Sequence, residues 1–317
     1  MIYILFLLLL FAAEMAYFRI ADYFNIIDKP NQRSSHSQVT LRGGGIIFYF
    51  GVLLYFIVSE FQYPWFFVGL TFISAISFAD DLKPRSSKIR LMVHLMAMLL
   101  LFYQWDLFHF PWYFTFLALI FCIGILNAYN FMDGINGITG GYSLIVTACF
   151  YYINNYIDAF VDNQLIYMLG LAILVFNFFN FRTRAKCFAG DVGAISIAFI
   201  LIFLLGKLIL KTSDFSYIIL FSLYGVDSIL TIMHRLLLKE NIFEAHRKHL
   251  FQLLANELKF PHLLVSAIYM FLQAMVFAGF ILVTNRMTYL VVVILSLSIV
   301  YVVIKQKFFH LHHSVKS

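Results

Sequence analysis

Apolar stretches close to the ~20 residues of helix needed to cross a bilayer repeat along this chain from one end to the other. Eleven such spans can be drawn, at 2–18, 43–59, 64–79, 91–104, 112–129, 138–153, 164–180, 193–210, 216–236, 262–284 and 288–304. In lipid a spanning segment must satisfy its own backbone hydrogen bonds, so runs of this length fold as helices. With 62% apolar and 12% charged residues among 317, and a mean hydropathy of +0.88, the composition excludes a soluble domain. The expected fold is all-α: a polytopic bundle of eleven transmembrane helices forming a single membrane-embedded domain over residues 1–317. Ile2–Tyr17 has no basic leader and no small-x-small pattern before Glu14. It reads as a retained span, with a cleaved signal peptide as the alternative.

The loops between spans alternate in charge. All of the 22 lysines and arginines except Lys207, Lys211 and Arg286 lie in the loops after spans one, three, seven and nine or in the C-terminal tail. The opposite loops carry Glu60, Asp106, Asp158, Asp162 and Asp214. The positive-inside rule then puts the basic loops and the C-terminus in the cytoplasm and the N-terminus outside. The net charge of +6 does not point to nucleic acid, because the cations are sorted by loop rather than spread over one soluble face. Cys122 and Cys149 fall in apolar spans and Cys187 in a loop, so no disulfide framework is implied.

Every polar cluster of note falls on the basic side. At the end of span five stands Asn127-Ala-Tyr-Asn130-Phe-Met-Asp133-Gly134-Ile-Asn136-Gly137. An uncompensated acid at mid-membrane costs roughly 2.5–3.5 kcal/mol on insertion scales. Residues three apart on a helix lie about 60° apart, so Asn127 and Asn130 share a stripe. The glycines let the backbone leave the helix and approach a ligand. A phosphate- and metal-handling cavity and a polar helix C-terminus both fit this run.

Four further stretches carry chemistry. Arg33-Ser-Ser-His36 and Arg42-Gly43-Gly44-Gly45 offer fork-shaped donors for phosphate. The three glycines at a helix start offer backbone N–H groups to an anion; an ordinary basic juxtamembrane loop fits as well. Asp80-Asp81, leaving span three, point about 100° apart on a helix and so take different roles. One acts as base or metal contact and the other holds a cation, unless both belong to a salt-bridged loop end. Lys83, Arg85, Lys88 and Arg90 behind them suit an acidic lipid headgroup. A prenyl-diphosphate motif would need another acid about four residues on, where Pro84 and Arg85 stand. Gly190-Asp191-Val-Gly193 opens span eight: Asp191 reaches a magnesium ion that also holds phosphate oxygens, or it is a helix N-cap. Glu244-Ala-His246-Arg247-Lys-His249 lies in the longest basic loop. Its imidazoles and guanidinium would offer donors to a diphosphate, although surface histidines, or a zinc pair short of further ligands, read similarly. Lys248–Lys259 reads as a short helix lying on the membrane. Asp227 is a further acid inside span nine, and Glu14 in span one has no evident partner.

Taken in order, Asp80-Asp81, Asn127-x-x-Asn130-x-x-Asp133-Gly-x-x-Gly137, Gly190-Asp191-x-Gly193 and the His246–His249 loop resemble the polyprenyl-phosphate N-acetylhexosamine-1-phosphate transferases. That superfamily includes the phospho-MurNAc-pentapeptide translocase, and the histidine loop looks most like the O-antigen-initiating branch. The resemblance covers roughly residues 20–260. It implies an enzyme of the bacterial inner membrane that moves a HexNAc-1-phosphate from a UDP-sugar to undecaprenyl phosphate and needs magnesium, with manganese as the alternative ion. By carry-over, Asp191 binds the metal, Asp80 contacts or deprotonates the lipid phosphate, and Asp81 supports it. Asn130 and Asp133 line the nucleotide side with Asn127, Asn136 and Asn180. His246, Arg247 and His249 hold the diphosphate or sugar, and Lys83, Lys88, Arg33 and Arg42 the lipid phosphate. Asn136 stands where most members have a second Asp, so an acid there is expected to be tolerated. The loop before Asp191 lacks the usual Pro, with Ala189 for Met and Ala194 for Ser, and Asn180 lies one residue further from Asp191 than usual. A lipid-phosphate transporter and an intramembrane prenyltransferase are the competing classes. A transporter should place charge deep in the spans, where only Glu14, Asp227 and Lys207 come close. Oligomeric state is left open, a homodimer of bundles included.

Overall fold

A computed structural model of the chain describes residues 2–30, 35, 38–242 and 246–308. All eleven predicted spans are helical. They form α1 (Ile2–Tyr23), α2 (Ile47–Val58), α3 (Pro64–Leu82), α4 (Ser87–Gln104), α5 (Trp112–Met132), α6 (Ile138–Tyr156), α7 (Asn163–Asn180), α8 (Gly190–Thr212), α9 (Ser222–Leu237), α11 (His262–Leu282) and α12 (Arg286–Lys307), with the short α10 (Leu250–Gln252) before α11. Eight described segments are long and apolar enough to cross a bilayer: α1, α3, α5, α7, α8, α9 with the turn before it, α11 and α12. The other three fall short for visible reasons. Gly44–Val58 is too brief, α4 opens on Lys88, Arg90 and His94, and α6 carries Gly140, Gly141, Asn154 and Asn155. The protein is an all-α, multi-pass membrane bundle.

Within its most apolar window α8 is 83% buried and α12 only 11%. A helix apolar on every side must be enclosed by other helices or by lipid. Here α8 is the enclosed axis and α12 the lipid-facing rim. α8 packs against α3, α5, α2 and α6, and Ser74 of α3 meets Ser196 of α8, Oγ to Oγ, at 2.7 Å. Small and hydroxyl residues hold such contacts together where lipid gives helices no hydrophobic reason to associate.

At the start of α8 the contact is backbone to backbone. A Cβ built on Gly45 would stand 2.3 Å from Gly193 Cα, and one on Gly193 would stand 2.6 Å from Gly45 Cα. The Gly44 and Gly45 N–H groups donate to the Phe188 and Ala189 carbonyls at 2.9 and 3.1 Å. These two glycines are therefore not an open anion cradle, as the sequence suggested; their N–H groups are spent on pairing two chain segments. The pairing continues a two-stranded ribbon, β1 (Ile27–Asp28) with β2 (Thr40–Leu41), through a bridge from Leu41 to Cys187. Gly45→Ala should prevent recovery of folded protein by size exclusion in detergent. Gly170→Ala, where a Cβ meets nothing within 4 Å, should elute as wild type does.

Two segments depart from the sequence reading. Span nine is not one α-helix: Phe215–Phe221 is 3-10 helix before α9 begins. The polar partners that a non-α segment needs at membrane depth come from other helices. Gln273 Nε2 donates to Ile219 O at 3.1 Å and Tyr142 OH to Leu220 O at 3.2 Å. Lys248–Lys259 does not lie flat on the membrane. It is a single turn of α10 followed by a π-turn at Leu253–Glu257, with Phe251 and Leu253 buried and Phe251 packed on Gly134.

Candidate active site

α3, α5 and α7 end, and α2, α6 and α8 begin, at one end of the bundle. A cavity of about 260 Å³ opens there, lined by Arg42, Asn130, Asp133, Asn136, Asn180 and Asp191 among others. A larger hollow of about 460 Å³ lies at the opposite end, around Glu60 and Asp162. Asp162 is spent there as the N-cap of α7, accepting from Gln164 N at 2.9 Å, and no lysine or arginine lines it.

The adjacent aspartates of α3 do separate, as their helical offset predicts. Asp81, its side chain fully buried, accepts from the backbone N–H groups of Asp191 at 2.9 Å and Val192 at 3.0 Å and pairs with Arg42 Nε at 2.6 Å. It caps the start of α8 from another helix, where the helix dipole favours negative charge. Asp80 turns the other way, accepting from Arg85 N at 2.5 Å and Arg90 Nη1 at 2.9 Å. It lies within hydrogen-bonding reach of Asp191. Asp191 Oδ1 accepts from Asn130 Nδ2 at 3.2 Å and Arg42 Nη2 at 3.5 Å, while its Oδ2 lies 3.8 Å from Arg90. Residues from α3, α4, α5, α8 and the ribbon thus meet around one carboxylate.

Asp133, on the far side of the cavity, accepts from Thr139 Oγ1 at 2.7 Å. Burial pushes its carboxyl up to about 6, and the Thr139 hydroxyl pulls it partly back. A carboxyl raised above its unfolded value binds more protons folded than unfolded, so the fold loses stability as pH climbs from the ordinary carboxylate range through about 6. Without divalent ions, Asp133→Asn should therefore melt above wild type at pH 7.5 and together with it near pH 4. A wild-type advantage at pH 7.5 would mean the ionised carboxylate is stabilising.

Other predicted residues land differently. Asn180, 4% exposed, joins two loops by accepting from Gly137 N and donating to Cys187 O, both at 2.8 Å. Asn136, 6% exposed, donates Nδ2 to Arg182 O at 2.9 Å and Thr183 O at 3.2 Å. Both line the cavity, yet their amides are committed to framework. Asn127 is exposed and outside the cavity lining, one turn further from the end of α5 than Asn130, which does line it. Lys83 and Lys88 are exposed on the α3–α4 connection. Arg42 clamps two carboxylates, and Arg33 lies outside the described residues, as do His36 and Glu244. His246, Arg247 and His249 do not line the cavity. Arg247 pairs with Glu257 at 2.9 Å. Burial, then His249, pushes His246 down to about 3, so that ring is a neutral one, with one donor and one acceptor, rather than a cation.

Residue spacing does not mark Arg90 as the partner of Asp80, Asp227 as the partner of His249, or Gln252 and His262 as part of the cavity wall. The one signal for Arg90 was its place in the first turn of α4. Asp227 showed itself only as an acid in an apolar span.

A membrane bundle that gathers acids, amides and arginines round one end cavity is the class that fold and site define. Residues 63–208 match the family model described as Glycosyl transferase family 4. The chain is 25% identical over 258 residues to a "Probable undecaprenyl-phosphate N-acetylglucosaminyl 1-phosphate transferase" of Bacillus subtilis (strain 168), covering 73% of this chain and 70% of that one. Two of the further relatives, among several that carry the name "Undecaprenyl-phosphate alpha-N-acetylglucosaminyl 1-phosphate transferase", cover different shares of the chain. That of Thermotoga maritima is 25% identical over 265 residues, 77% of this chain and 79% of its own. That of Escherichia coli (strain K12) is 29% identical over 215 residues, 59% of this chain and only 56% of its own length.

Proposed function

We propose that the protein transfers an N-acetylhexosamine-1-phosphate from a UDP-sugar to undecaprenyl phosphate. A phosphate oxygen of the lipid attacks the β-phosphorus of the UDP-sugar. The bond from that phosphorus to the bridging oxygen breaks, and UMP leaves with the oxygen. The observation that carries this reading is the convergence of Asp80, Asn130, Arg42 and Arg90 on Asp191, with Asp81 fixing the backbone beneath.

Phosphoryl transfer asks for positioning and charge neutralisation more than for covalent chemistry. Among the described residues no three His, Cys, Asp or Glu side chains come close enough to hold an ion alone. Two facing carboxylates with an amide nevertheless suit magnesium, which keeps several waters and takes its remaining ligands from substrate phosphates. Asp191 and Asp80 would hold it, with manganese as the alternative. When bound, the ion would neutralise charge on the diphosphate. Asn130 steadies the Asp191 carboxylate. Arg42 and Arg90, already turned toward that carboxylate, are placed to meet phosphate oxygens.

The sorting of lysine and arginine supports a cavity on the cytoplasmic side of a bacterial inner membrane, where nucleotide sugars are made. The test is UMP release by protein purified in detergent, given undecaprenyl phosphate and, separately, UDP-linked GlcNAc, FucNAc and QuiNAc. One of these sugars should release UMP and yield a lipid diphosphate. Uptake of the lipid into vesicles without UMP, or a prenylated acceptor, would replace the proposal with one of the competing classes.

A further inference from the structure

The link between α7 and α8 shares its backbone with the cavity wall. Asn136, which lines the cavity, holds the Arg182 and Thr183 carbonyls through its Nδ2. Arg182 N donates to Asn180 O at 2.7 Å and Lys186 N to Phe179 O at 3.0 Å. The link is therefore fixed to the end of α7, and its cations are carried on a set backbone.

The Arg182 guanidinium lies over the Phe178 ring, with Cζ 4.5 Å from the centroid, and its Nε donates to the Phe178 carbonyl at 2.5 Å. Phe178 is 54% exposed on a helix apolar enough to cross a bilayer, so its open face is a lipid face. The hydrogens on both Nη atoms of Arg182 have no acceptor among the described residues. Arg184 and Lys186 are exposed beside it. α1 adds a further cation: Phe18 packs edge-on against Phe179, with centroids 4.8 Å apart, and the exposed Arg19 follows it. Elsewhere at this end of the bundle Arg42, Arg90, Arg235 and Arg247 each pair with a carboxylate. Among the described residues Arg19, Arg182, Arg184 and Lys186 pair with none; Asp22, one turn along α1 from Arg19, is exposed and forms no ion pair with them.

We propose that Arg19, Arg182, Arg184 and Lys186 form a site for the phosphodiester headgroup of an anionic glycerophospholipid, whose acyl chains lie against Phe178, and that its occupancy raises turnover. Basic loops are common at one face of a membrane protein. What sets this one apart is a guanidinium laid on a lipid-facing ring with its outer donors free. A planar fork meets two phosphate oxygens at once, and each further cation at the interface adds attraction for anionic lipid. A zwitterionic headgroup brings its own ammonium into the same cluster and is disfavoured. None of the four cations lines the cavity, so the site is separate from that of the transferred group. A ligand shifts an equilibrium only by binding one state better. The ordered link is the state that presents these cations together, and the same link runs into Asp191. The binding stands apart from the sugar-phosphate transfer proposed above, while its effect on turnover rests on that reading.

Native mass spectrometry of protein carried in detergent with equal amounts of phosphatidylglycerol and phosphatidylcholine should show phosphatidylglycerol retained in preference. In nanodiscs, a mixture of the two lipids should raise UMP release about 5-fold over phosphatidylcholine alone. The triple variant Arg182→Gln, Arg184→Gln, Lys186→Gln should lose both the preference and the activation, yet keep the wild-type rate in phosphatidylcholine. Arg184→Gln alone, at an exposed side chain without a partner, should lose part of each and guards against a triple variant that does not fold. Phe178→Leu keeps every charge and an apolar face, and should weaken retention. Wild-type retention in Phe178→Leu would reduce the cations to a diffuse charged face and overturn the site. So would equal retention of the two lipids by the wild type, or an undiminished preference in the triple variant. A raised KM for undecaprenyl phosphate in the triple variant, measured in phosphatidylcholine, would assign the cations to the substrate lipid and end the proposal. If the wild type releases no UMP in any membrane, the functional reading fails, while the retention measurement still decides the site.

Discussion

Asp191→Ala should abolish UMP release, with a loss of about 1000-fold or more, while the protein still folds. The two halves of this expectation come from different atoms of one residue. The Asp191 side chain is where Asn130, Arg42 and Arg90 point, and where Asp80 faces it. Removing it takes away the charge round which the cavity is arranged. Its backbone N–H, in contrast, is held by Asp81 at 2.9 Å, and alanine keeps that bond. α8 therefore stays capped and the Gly45–Gly193 contact stays in register. Asp81→Ala should behave differently. It removes the cap from two backbone N–H groups and strips Arg42 of its 2.6 Å partner, so melting temperature and turnover should fall together. Rates and thermal melts on the two variants separate the roles. Wild-type turnover in Asp191→Ala would remove the residue from the chemistry.

Asn136→Asp should be the second large effect, and it runs against the expectation drawn from the family pattern. There, an acid at this position is the common choice. In this chain the Asn136 amide donates to two backbone carbonyls, Arg182 O and Thr183 O, within the link between α7 and α8. A carboxylate cannot donate. It would leave two carbonyls unsatisfied and set negative charge against their oxygens in a site 6% exposed. Each stranded buried group costs about 1–3 kcal/mol, and more where charge is involved. The variant should melt well below wild type, and turnover should fall with it because the same link leads into Asp191. Asn136→Ala, which loses the donors without adding charge, should be milder. A variant Asn136→Asp with wild-type melting and rate would show that these bonds do not hold the link in the membrane.

The spans were legible because lipid demands long apolar runs with internally bonded backbone, and a run such as 193–210 meets that demand by composition alone. The site acids were legible because Asp80, Asp133 and Asp191 stand where apolar helices end or begin, and charge there needs a reason. Their division of labour was not. Asp81 and Asp191 look alike in sequence, yet one caps a helix from another chain segment and the other faces the cavity. Gly44 and Gly45 look like an anion cradle until Phe188 and Ala189 take their N–H groups. Asn127 and Asn130 share a helical stripe, and only the packing of α5 against α8 decides that one lines the cavity. Asp227 and His249 are 22 residues apart, and no local pattern joins them.

By itself the sequence determined the membrane bundle, the sorting of its basic loops and the handful of acids and amides from which a site must be drawn. Those follow from hydropathy, charge and the cost of burying either. Tertiary structure alone decided which of the polar groups face a ligand and which hold the framework. A hydrogen bond is assigned by the approach of two atoms within about 3 Å, and that approach is set by how α3, α8, α9 and α12 pack, not by any residue's neighbours in the chain.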